Sequence, residues 1–423
     1  MHLKSILGSQ SAKDFSNLFF ANIFQKVLGL IRELVIAFFL GSSILYANFL
    51  LLRVIADFFS QVTAGNALKA NLLPKFTNFY EKTKEISLTE VFRFSQKSSI
   101  YLFLISQVIQ TLVIFYLNLE SNLLFFGVSI VLSFSICFNF INTIFLTIFQ
   151  ARGLFFKSSY ASVTNSFVFT LIVYPLISFS SVIGLAISRL VGILSLYFYF
   201  IKPLIKENSG SEVRLNYSDF NLSTLILGNF ANIIIISSRF VSGADGSNDI
   251  TFFMYAVVLL NVLLTAVIGN ISTILLRKIT IKKSSISMLY SLLISIFVGF
   301  LMVLALYFYS TDIVKFVYLR GAFNISDVEQ TASYLFELSF AFVFLFVSTI
   351  LFQPFLTLSI EKTKNIRLGM VIFFLLSIIF AIIFAEFNLF TSKESSFLLM
   401  YISSTVSVIL SVYSYFKYIQ YER

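Results

Sequence analysis

Uncharged apolar runs recur along this chain. Ser98 to Leu119, Ser121 to Ala151, Thr251 to Leu276, Ser284 to Thr311, Leu338 to Ile360 and Ser395 to Phe416 carry no charge. Each is long enough to cross a bilayer, which takes about 20 mostly apolar residues. The stretch Ser158 to Ile201 has one charge, Arg189. As one helix it would reach about 66 Å, twice a bilayer core, so it predicts two helices broken near Ser178–Ser181. The pattern predicts twelve spans, at about 15–40, 43–64, 97–118, 122–148, 159–178, 181–201, 219–240, 250–276, 286–309, 331–357, 367–386 and 396–417. The expected fold class is an all-α polytopic membrane protein. The first span does not read as a signal peptide: it is too long, holds Lys26, Arg32 and Glu33, and precedes no small-residue cleavage site.

Composition agrees. Hydrophobic residues make up 58% of the chain and charged residues 12%, against about 25% charged in soluble domains. That excludes a soluble globular protein, a disordered chain and a secreted disulfide scaffold. The one cysteine, Cys137, and the one histidine, His2, cannot build a Zn site, so neither a metal nor a cofactor is expected. The net charge of +10 is first a topology signal. With the N-terminus inside, 22 lysines and arginines fall in inside segments. Only Lys315, Arg320 and Lys393 fall outside, and five lie within spans. Both termini are therefore expected to be cytoplasmic.

The longest inside loop, about Gly65 to Gln96, is too short for a nucleotide-binding domain, and no GxxxxGK[ST] occurs. The longest outside loop is about Ser310 to Thr331. No paired-carboxylate, Ser/His or Cys/His constellation suggests catalysis. A carrier is the remaining class. A weak repeat supports two halves, residues 1–205 and 206–423. Gly65-Asn66 before Leu72-Leu73 matches Gly269-Asn270 before Leu275-Leu276. Thr147-Ile148-Phe149-Gln150 matches Ile350-Leu351-Phe352-Gln353. The offset is 203 to 204. Two six-span halves of the same orientation imply a pseudo-two-fold axis along the membrane normal and a central cavity.

Charges inside spans normally face a cavity or a partner. Asn22, Lys26, Gly29 and Glu33 form one helical stripe, with Arg32 beside it; Arg53, Asp57 and Gln61 form another. Asn232 and Arg239 share a face of span 7, and Asn261, Thr265 and Gly269 one of span 8. One reading is a net cationic cavity between spans 1, 2, 7 and 8, suited to a phosphate-bearing head group. The alternatives stay open: Arg239 snorkels to the interface, Arg53–Asp57 is a packing pair, and the asparagines are interhelical hydrogen bonds. Glu337, one turn inside span 10, is expected to face the exit. Arg189 receives no role.

Several segments resemble the MurJ/MviN-type lipid II flippases. Lys26-Val-Leu-Gly-Leu-Ile-Arg32-Glu33-Leu-Val-Ile-Ala37, then Gly41, is similar to their first helix. Gly65 to Pro74 resembles the end of their second helix and Arg152 to Asn165 their span 4–5 junction. Tyr318-Leu319-Arg320-Gly321-Ala322-Phe323, with Asp327 and Thr331-Ala332, resembles their external segment. The resemblance covers about residues 10–370. Departures are Ala47 or Asn48 at the family's acid after span 1, no paired arginines near Phe58–Ser60, and Val257-Val258 at its Asp-Arg. The family usually has fourteen spans.

The resemblance implies the multidrug/oligosaccharidyl-lipid/polysaccharide (MOP) exporter superfamily and a flippase rather than an enzyme. It would move a polyprenyl-pyrophosphate-linked saccharide, lipid II or a related cell-envelope precursor, across the bacterial inner membrane by alternating access. Substrate-binding candidates are Lys26, Arg32, Arg53, Arg239, Asn22 and Asn261. Glu33 and Asp57 are the coupling candidates for Na+ or H+, and Arg320, Gly321 and Phe323 mark the external segment. Expected partners are the anionic lipid-linked saccharide and membrane lipids, with no nucleic acid, in a monomer. The alternatives are an O-antigen or capsule unit translocase and a cation-coupled multidrug exporter of the same fold.

Overall fold

A computed structural model describes residues 10–64, 66–83, 86–119, 122–206, 211–212, 215–217, 229–264, 285–356 and 392–422, with scattered positions between 365 and 391. The predicted eleventh span at 367–386 therefore lies largely outside the described residues. So do 219–228 of the seventh and 265–276 of the eighth. The repeat partner Gly269-Asn270 falls in that last gap.

The described chain is helical apart from a two-residue parallel pairing of β1 (Ile86–Ser87) with β2 (Ser211–Glu212). The helices are α1 (Gln10–Leu40), α2 (Ile44–Ala64), α3 (Asn66–Thr83), α4 (Thr89–Tyr116), α5 (Asn122–Ala151) and α6 (Phe155–Leu196). A π-helical turn (Tyr197–Ile201) leads into the short α7 (Lys202–Lys206). Then come α8 (Phe230–Val241), α9 (Asp249–Leu264), α10 (Ser285–Tyr318), α11 (Ile325–Leu356) and α12 (Ser392–Glu422). Among the described residues seven helices are long and apolar enough to cross a membrane. The protein is an all-α, multi-pass membrane protein.

The chain forms two compact units. One holds Met1–Phe39 and Ile55–Leu225; the other holds Leu40–Val54 and Ile226–Arg423. Residues 206–225 thus go with the first unit, and the first half of α2 goes with the second.

In the first unit, α6 is two helices joined at Ser181, whose φ of 50° and ψ of −127° are not helical. The chain reverses there. Gly184 lies so close to the Leu176 carbonyl that a Cβ would overlap it, and Gly192 sits against Asn165 and Phe169. Close approach through glycine is how helices associate in lipid, where burial of apolar surface gives no driving force. Hydrogen bonds join α4 to α5: Gln107 Nε2 donates to Ser129 Oγ (2.9 Å) and Gln110 Nε2 to Ser133 Oγ (3.2 Å).

The expected inside loop at 65–96 is corrected. It contains α3, and α4 begins at Thr89. Leu68, Leu72 and Phe76, one helical turn apart, are fully buried against the first unit's core. An amphipathic helix carries no continuous apolar run, so a search for spans passes over it.

In the second unit, α12 packs on α11 and α8. Ser403, Ser407, Ser411 and Ser414 are buried. Ser407 donates to the Ser403 carbonyl (2.7 Å), Ser411 to Val408 (2.8 Å) and Ser414 to Leu410 (2.7 Å). Small side chains permit close packing, and bonding back to the helix satisfies the Ser407, Ser411 and Ser414 hydroxyls without water. The expected outside loop at 310–331 is also corrected. Helices α10 and α11 extend into it and leave only 319–324 between them.

Candidate functional site

The polar residues of α1 and α6 meet within the first unit. The Arg32 guanidinium lies 4.3 Å from the Phe169 ring centroid, a cation–π distance. Its Nη2 is 3.7 Å from Glu33 Oε1, and Glu33 is 1% exposed. Thr170 Oγ1 donates to the Leu28 carbonyl (3.2 Å), tying the same two helices together. Lys26 is exposed in the unit, one stripe removed from Arg32. Asn22 lies on α1, but its side chain is outside the described residues.

Asp57 has a partner that sequence reading missed. Arg189 Nη2 donates to Asp57 Oδ1 at 2.7 Å, with both side chains under one-fifth exposed. The signal was present. A lone charge in a long apolar stretch needs a neutralising group. Neither the pattern nor the resemblance points from Arg189 to a residue 132 positions away.

The other candidates belong to the second unit. Arg53 on α2 and Asn261 on α9 are half-buried there. Arg239 is 5% exposed, with Nη1 2.8 Å from Met254 Sδ. The candidates therefore divide: Lys26, Arg32, Glu33, Asp57 and Arg189 in one unit; Arg53, Arg239 and Asn261 in the other.

The external segment is a structural corner of the second unit. Phe323 is 1% exposed; Tyr46, Tyr255 and Tyr318 are fully buried. Their rings cluster, with Tyr255 4.9 Å from Tyr318 and 5.2 Å from Phe323. Gly41, at φ +52°, approaches so closely that a Cβ would stand 2.5 Å from the Ala322 oxygen. Tyr255 Oη donates to the Gly41 carbonyl (2.9 Å), and Ser42 Oγ to Asp327 Oδ1 (2.6 Å). Asp327 Oδ2 also accepts from the Asn324 amide (2.9 Å), and Asn324 Oδ1 accepts from the Asp327 amide (3.1 Å). Gly321 takes φ +62°. Arg320 is exposed and donates to the Phe316 carbonyl (2.8 Å) at the end of α10.

Beside that corner, Glu337 takes part in a polar cluster. Ser333 Oγ donates to Glu337 Oε1 (2.6 Å); Lys393 Nζ is 3.7 Å from the same oxygen and 4.8 Å from the Tyr334 ring centroid.

No protein-family model matches the sequence, and no curated protein matches it. Solved structures do. The lipid II flippase MurJ, in an inward closed conformation, superposes with a TM-score of 0.77 at 19% identity, over 94% of this chain and 87% of MurJ. The chain has the MurJ fold. A MOP superfamily transporter from Pyrococcus furiosus Vc1 (DSM3638) matches with a TM-score of 0.62 at 13% identity, over 97% of this chain and 96% of that one. An outward-facing multidrug resistance MATE family transporter of the same superfamily matches at 0.57 and 14%, over 98% and 97%. The MurJ-like chain thus carries the architecture of MOP transporters, as its Lys26–Gly41 and Tyr318–Asp327 segments lead one to expect.

Proposed function

We propose that this protein is a flippase for a polyprenyl-pyrophosphate-linked saccharide in the bacterial inner membrane. The observation that carries the reading is a largely buried arginine, Arg32, stacked on Phe169 at 4.3 Å in a chain with the MurJ fold. In the same unit the candidate cations Lys26, Arg32 and Arg189 outnumber the acids Glu33 and Asp57 by one. A pyrophosphate carries the charge to match that excess, and a planar guanidinium binds two phosphate oxygens at once.

In this mechanism Arg32 and Lys26 of the first unit hold the head group, assisted by Asn22 on the same helix. The polyprenyl tail remains in lipid, and access alternates between the two faces of the membrane. Glu33 and Asp57 couple the cycle to Na+, H+ or the membrane potential. Asp57 does so by exchanging Arg189 for the coupling ion. Both termini are cytoplasmic and the transporter is monomeric.

The reading is tested by complementation in two conditional strains, one without its lipid II flippase and one without its O-unit translocase. Rescue of the first makes lipid II the substrate. Rescue of the second alone makes it a surface-glycan unit and turns the missing arginines, near Phe58–Ser60 and at Val257-Val258, into specificity changes. Rescue of neither by an inserted, folded protein overturns the proposal. The same strains check the site: Arg32→Ala inserts normally but loses all rescue, and normal rescue would remove Arg32 from the mechanism. A multidrug exporter would instead confer drug resistance when overexpressed. The cationic excess speaks against that, because cationic drugs need exposed acids.

A further inference from the structure

The first unit carries a groove that the transport reading does not use. It lies between α4, α5 and the π-helical turn, with a volume of about 400 Å³, and aromatic rings make up its walls: Phe92, Phe103, Phe134, Phe138, Tyr197 and Phe198. The polar atoms beneath are engaged. Cys137 Sγ donates to the Ser99 carbonyl (3.0 Å) and Ser99 Oγ to the Gln96 carbonyl (2.8 Å). Such a floor offers little to a polar ligand.

The groove opens on the flank these helices give to lipid: Ile100 is 60% exposed and Phe198 52%. From Phe92 to Phe103 it follows α4 for about 16 Å, half the thickness of a bilayer core. A π turn is an interruption that often accompanies a binding site. Here it sets Tyr197 edge-on to Phe138 at 5.3 Å and brings Phe198 to the mouth.

Charge at the mouth selects the occupant. Lys97 follows the lining residue Gln96 and is exposed. Lys202 Nζ stands 5.3 Å from the Phe198 ring centroid. Arg93, one turn before Lys97, is engaged by Glu90 at 2.8 Å. Two lysines at the mouth of an apolar groove complement an anionic head on an apolar chain. A zwitterionic lipid would bring its own cation toward them. We propose that the groove holds one acyl chain of an anionic phospholipid whose phosphate sits between Lys97 and Lys202. The site lies wholly within the first unit and does not depend on which substrate is carried.

The chain has no tryptophan, so one introduced by Phe103→Trp reports on this groove alone. The full-length variant is reconstituted in phosphatidylcholine vesicles containing brominated phosphatidylglycerol or brominated phosphatidylcholine. The brominated anionic lipid should reach half-quenching at a mole fraction on the order of thirtyfold lower, the enrichment expected from two basic contacts near the surface. Adding Lys97→Gln and Lys202→Gln should erase that advantage. A control tryptophan at Phe297, exposed on α10, should show no preference. Equal quenching by both lipids at position 103 overturns the proposal. So does a preference that survives loss of both lysines, or one that recurs at position 297. If Phe103→Trp does not fold, Phe134→Trp on the opposite wall reads the same groove.

Discussion

At the scale of single residues, the Asp57–Arg189 pair sets the energetics of the first unit. Removing one member leaves the other charge embedded without its partner, a loss of about 3–5 kcal/mol for buried pairs. Because these side chains retain 16% and 19% exposure, the lower end of that range applies. Arg189→Ala should therefore lower the unfolding free energy by about 3 kcal/mol. Pairing Arg189→Gln with Asp57→Asn should recover most of it. Denaturant titration of the purified protein measures both, and a double variant no better than the single one would refute the pairing as the cause. Charges within spans were legible as costs, since each demands a cavity or a partner. Their partners were not. Pairing is set by tertiary approach, and only the fold brings Arg189 to Asp57 or Phe169 under Arg32.

Whole elements were legible wherever the bilayer dictates length. A run of about 66 Å cannot cross a 30 Å core once, so the break predicted near Ser178–Ser181 follows from arithmetic, and the structure places it at Ser181. Replacing Ser181 by glycine relieves a backbone conformation unusual for an L side chain and should stabilise the protein by about 1 kcal/mol. A lowered melting temperature would contradict that account. The ends of elements were less legible. Helices α10 and α11 run past the apolar stretch because the ends that face each other are held by specific contacts: Arg320 on the Phe316 carbonyl at the end of α10, and Asp327 with Asn324 at the start of α11. The corner between them is equally specific. Gly41→Ala adds a methyl group 2.5 Å from the Ala322 oxygen at a positive φ. It should cost about 1–3 kcal/mol or more, seen as a drop in melting temperature. An unchanged value would show that the corner yields.

For the molecule as a whole, charge asymmetry predicts a direction through the membrane. Cys137 is the sole cysteine and is buried, so Cys137→Ala gives a background for single-cysteine labelling. Arg320→Cys should react with a membrane-impermeant maleimide in intact cells, and Lys82→Cys only after permeabilisation. The opposite pattern would invert the topology. The fold class was legible because composition and span count leave few architectures. A weak repeat divides the chain once, and nothing in it foretells that Leu40–Val54 belongs with residues from 226 onward.

That placement has a consequence in time. Ser42 bonds Asp327 across 285 residues. During synthesis at 5–20 residues per second, the segment after Gly41 enters the membrane roughly 15–60 s before its partner exists. Tyr46 must spend that interval among lipids or in the keeping of the insertion machinery. The second unit is therefore completed late, by a piece of chain made early. A nascent protein arrested before residue 327 should be more open to proteolysis around Gly41 than the finished one.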